Sequence, residues 1–65
     1  MESKYWYQVE SYTQTTSDVE QEYKGRSGRA KARRYAKQMS EIQTETDFVI
    51  NGYDVAETWR EGKRI

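Results

Sequence analysis

Only one stretch of this chain repeats at helical spacing. Ala32, Tyr35, Ala36, Met39 and Ile42 recur three and four residues apart, so they share one arc of a helix over residues 28–43. The alanines favour that helix and leave a flat strip that can approach a sheet closely. Ser27 stands where an N-cap is wanted, although Ala30 three residues on leaves it without a capping box. One amphipathic helix cannot bury its own apolar arc, so the rest of the chain must supply the surface it packs on.

That remainder reads as strands. In KYWYQVESY, Tyr5, Tyr7 and Val9 point one way, and Lys4, Trp6, Gln8, Glu10 and Tyr12 the other. TQTTS is a loop. Residues 18–23 follow as a second strand, with Val19, Gln21 and Tyr23 on its core face and Asp18, Glu20 and Glu22 forming an acidic row toward water. The two glycines of KGRSG break that strand; their spacing makes a turn, not a phosphate loop. After the polar TETD, Asn51-Gly52 lies between two apolar runs. Either residues 48–50 form a short extra strand in a hairpin about Asn51-Gly52, or they form a packed loop leading into one strand. In both cases Tyr53, Val55 and Trp59 share a face. The expected fold is α+β: one β-β-α-β domain over residues 1–65, a three-stranded antiparallel sheet with the helix across one face.

Sixty-five residues are near the lower limit for unassisted folding, and no cysteine offers a staple. Nine aromatics, six of them tyrosine, compensate for an apolar content of 34%. Histidine is absent too, which removes the commonest general base and zinc ligand. No loop clusters carboxylates for a hard cation, and Glu10, Glu20 and Glu22 on an open sheet read as a solvated row, not an acid–base pair. The expectation is a non-catalytic protein without cofactor or metal. No apolar run is long enough for a membrane span, and MESKYWYQVE lacks a signal-peptide layout, which points to the cytoplasm.

Zero net charge hides segregation. Residues 1–22 carry −4, residues 23–40 carry +7 with no acid at all, residues 41–61 carry −5, and Lys63 with Arg64 adds +2. Such a bipolar surface orients approaching partners. Arg26, Arg29, Arg33 and Lys37 fall on one helix flank, with Arg34 and Lys31 further round. Two readings of them stand side by side. They are a phosphate-binding row, as in a nucleic-acid-binding protein, or the solvated back of a helix that must expose something. Their crowding into the first turns opposes the helix dipole, which favours a use for them. The acidic sheet would repel phosphates, so nucleic acid would engage the helix alone. Exposed Trp6 and Tyr12 are base-stacking candidates or cross-strand packing residues.

Some local strings resemble a known family. Lys4, Tyr5, Trp6, Val9, Glu10 and Ser11 match the opening strand of the small host-RNA-polymerase inhibitors of short-tailed coliphages: Lys, an aromatic, Trp, two variable residues, then Val-Glu-Ser. Ala32 and Ala36 repeat the family's Ala-x-x-x-Ala, and GYDV is similar to its Gly-Phe-Glu-Val before the last strand. The matches cover about a quarter of the chain. The resemblance implies a phage protein that binds and inhibits a host protein machine, RNA polymerase first, in the bacterial cytoplasm. It implies that Glu10 contacts the partner. This chain has about ten more residues between the second strand and GYDV. Glu57 and Trp59 stand where the family has two contact arginines, with Arg60 beside them, and its helix is basic where the family's is acidic. Glu10, Trp6 and Arg60 are then the expected contact surface, and Arg26, Arg29, Arg33, Arg34 and Lys37 a second one.

Overall fold

The computed structural model describes residues 4–65. Five strands and one helix follow in the order β1 (Trp6–Tyr12), β2 (Ser17–Lys24), α1 (Gly28–Ile42), β3 (Asp47–Gly52), β4 (Val55–Arg60) and β5 (Lys63–Arg64). All pairings are antiparallel, and the sheet runs β2-β1-β3-β4-β5. The three-stranded expectation is therefore corrected to five. The extra strand at residues 48–50 is no appendage but β3, the middle of the sheet. Phe48 and Ile50 are fully buried there, and burying each stabilises the fold by roughly 1.5–3 kcal/mol.

The helix covers one sheet face. Tyr7, Val9, Phe48 and Ile50 meet Ala32 and Ala36 in the core, flanked by Tyr5, Tyr23, Tyr35, Met39, Val55 and Trp59. Ser40 is buried as well; its hydroxyl donates to the Lys37 carbonyl (3.0 Å) and accepts the Gly62 N–H (2.9 Å), tying the β4–β5 turn to the helix. Ile42, expected on the apolar arc, is 73% exposed at the last helical position. Ser27 occupies the N-cap position but makes no side-chain cap bond.

Two further expectations fail for geometric reasons. The pairing of β1 with β2 shifts between Val9 and Glu10: Gln21 opposes Val9, but Val19 opposes Glu10, leaving Glu20 as an extra residue. This bulge reverses the facing of the strand beyond it. Val19, expected in the core, lies on the open face and is 56% exposed. Gln21 keeps the helix-side parity of Val9 yet is exposed at the sheet edge. Glu20, expected to face water, turns to the helix side instead, where it accepts hydrogen bonds from Ser11 (3.0 Å) and Tyr35 (2.9 Å).

The β3–β4 turn is not at Asn51-Gly52. Gly52 pairs with Val55, so Tyr53 and Asp54 form the turn, and Tyr53 leaves the face shared by Val55 and Trp59. Gly52 stays in the strand because the Tyr7 ring packs where its Cβ would be.

Candidate functional site

Strand register assigns the side chains of the uncovered sheet face. Gln8 lies opposite Glu22 and Asn51, Glu10 opposite Val19 and Val49, and Tyr12 opposite Ser17 and Asp47. Ala56 and Thr58 continue these rows on β4, and Arg60 follows beside Lys63. Since side chains alternate along each strand, Trp6, Glu10 and Arg60 share this face. The structure thus brings those three expected residues onto one surface.

Glu10 is the hub of that surface. One carboxylate oxygen accepts from Asn51 Nδ2 (2.7 Å) and the Tyr12 hydroxyl (3.1 Å), the other from Gln8 Nε2 (3.0 Å). A carboxylate has about four acceptor sites, so roughly one is left for a partner. The hydrogen bond to Glu10 raises the Tyr12 phenol above its ordinary value of 10.0. Trp6 is 37% exposed, with its indole N–H on Glu22 (3.3 Å), and Tyr12 is 40% exposed. Arg60 pairs with Asp47 at 3.1 Å, beside an open polar concavity of 580 Å³ lined also by Tyr12, Thr13 and Glu45.

The helix cations separate into two groups. Arg29 pairs with Asp54 at 2.7 Å, and Arg33 grips Glu57 with two guanidinium nitrogens. Both arginines therefore face β4 and its turn, and neither is the free cation expected. Asp54 places in space the carboxylate that the first helical turn lacks in sequence. Glu57, with a side chain only 7% exposed, also accepts from Trp59 Nε1 (3.0 Å) and Arg64 (3.3 Å). The Arg33 hydrogen bond, outweighing burial, holds its carboxyl below the usual 4.5.

Lys31, Arg34 and Lys37 have no ion-pair partner among the described residues. Arg26 lies over the Tyr5 ring, 5.3 Å from its centroid. The expected flank of Arg26, Arg29, Arg33 and Lys37 is thus divided between structural and free cations. Sequence reasoning missed Gln8 and Asn51 as supports of Glu10, and Tyr53, half exposed at the turn; parity with Glu10 was the signal for Gln8. Among the described residues, no helix is long and apolar enough to cross a membrane. No family model, curated protein or solved structure matches this chain.

Proposed function

We propose that this chain is a non-catalytic protein-binding module of the phage inhibitor type, which engages bacterial RNA polymerase in the host cytoplasm through its open sheet face. The observation that carries the reading is the sharing of that face by Trp6, Glu10 and Arg60. Trp and Arg are the residue types that dominate binding energy at protein interfaces. Glu10 is held in place by three donors before any partner arrives, so docking costs it little side-chain freedom. Occlusion of a groove on a larger machine needs no reacting group. As the primary function, a phosphate row built on the flank of Arg26, Arg29, Arg33 and Lys37 is weaker, because Asp54 and Glu57 engage Arg29 and Arg33 and so take two of its four cations.

The test is binding to purified bacterial RNA polymerase by interferometry, coupled to run-off transcription. Wild-type protein is expected to bind and to slow transcript formation. Trp6→Ala is expected to weaken binding more than tenfold, with an unchanged circular dichroism spectrum. Wild-type protein that neither binds polymerase nor slows transcription overturns the reading.

A further inference from the structure

At the end of the sheet where β1 begins, three segments converge. The Gly25 N–H donates to the Tyr5 carbonyl (2.8 Å), and the Tyr53 N–H donates to the Trp6 carbonyl (3.0 Å). These bonds hold the β2–α1 and β3–β4 turns against the start of β1. The rings of Tyr5 and Tyr53 meet there edge to face, with centroids 5.1 Å apart. Lys4 Nζ lies 5.1 Å from the Tyr53 centroid and 5.5 Å from that of Tyr5, and Arg26 adds its guanidinium on Tyr5. Tyr53 is nonetheless 51% exposed. The carboxylate of this corner, Asp54, already accepts from Tyr7 and Arg29.

From Arg26 the positive charge continues along α1. Lys31, Arg34 and Lys37 stand three residues apart on its exposed side, a rise of about 4.5 Å per step, and no acid interrupts the chain before Glu41. One exposed aromatic ring, Tyr53, at the head of such a run of cations suits a flexible polyanion that also carries flat rings. Bases can lie on Tyr53 while phosphates follow the row. A duplex, whose bases are stacked inside, would use only the cations. We propose that this corner and row form a second binding surface, for single-stranded nucleic acid. It lies apart from the sheet face assigned to the protein partner and does not rest on that assignment.

The test is fluorescence anisotropy with a labelled 12-nucleotide oligo-dT and with a duplex of equal length. The single strand is expected to bind more tightly than the duplex. With four phosphate contacts, at Arg26, Lys31, Arg34 and Lys37, affinity falls about fifty-fold between 50 and 200 mM salt. Tyr53→Ala is expected to weaken oligo-dT binding roughly tenfold. Tyr53→Leu, which keeps apolar contact with Tyr5 but removes the ring, should do the same. The double change K31Q/R34Q should about halve the slope of affinity against salt. Gln14→Ala, in the loop at the opposite end of β1, should change nothing, and Trp6→Ala should leave oligo-dT binding intact whatever it does to a protein complex. Three results overturn the proposal: no binding of oligo-dT at 50 mM salt; equal binding of strand and duplex with no effect of either Tyr53 change; or poly-glutamate of equal charge binding as tightly, with the same Tyr53 dependence.

Discussion

Tyr7 shows how little freedom individual residues have in so small a core. Its ring lies between Gly28 and Gly52, and a Cβ added at Gly28 would come within 2.7 Å of it. Its hydroxyl reaches out to Asp54 at 3.1 Å. Gly52→Ala therefore forces the ring or strand β3 aside, and urea denaturation should show a loss of roughly 1–3 kcal/mol. Val19→Thr is the opposite case. A valine in a strand looks like core, but this one lies beyond the bulge on the open face, so the change should stay within about 0.5 kcal/mol. A large loss would instead mean that the Val19 side chain is buried on the helix side.

The helix and the strands it covers show what periodicity can and cannot reveal. Tyr7, Val9, Ala32 and Ala36 were legible because spacing of two or of three to four is a local property. Trp6, Glu10 and Arg60 reached one face by the same alternation. The bulge at Glu20 was not legible, since an extra residue is defined only against the partner strand. Nor was the β3–β4 turn: Asn51-Gly52 is a strong local signal, overridden by Tyr7 packing on Gly52 from 45 residues away. The fates of Arg29 and Arg33 depended on that turn, because it places Asp54 and Glu57 under the helix. Ala36→Glu should abolish the cooperative thermal transition, as it buries an unpaired charge between helix and sheet. Arg33→Ala should cost about 1–2 kcal/mol in urea melts, toward the low end for a deprived buried group because Trp59 and Arg64 still reach Glu57. Arg29→Ala, which removes an exposed pair, should cost only about 0–1 kcal/mol.

Across the whole molecule, eleven cations balance eleven carboxylates at neutral pH, and the helix meets the sheet through carboxylates that hold arginines. Acid removes one side of that balance. Glu57 has a folded pKa below its unfolded value near 4.5, so its contribution is complete above pH 4.5 and disappears as pH falls through the folded value. Tyr7 and Tyr35 have phenols raised above 10.0, chiefly by burial, so the contribution of their neutral forms is complete below pH 10 and is lost as pH rises through the folded values. Stability should therefore form a plateau between these limits. Glu57→Gln keeps the shape of the side chain but removes the charge that Arg33 and Arg64 hold. Its urea midpoint should be lower than that of wild type at pH 7 and should decline less between pH 5 and pH 3, so that the two curves converge in acid. Parallel curves across that interval would show that the buried carboxylate does not govern the acid limb.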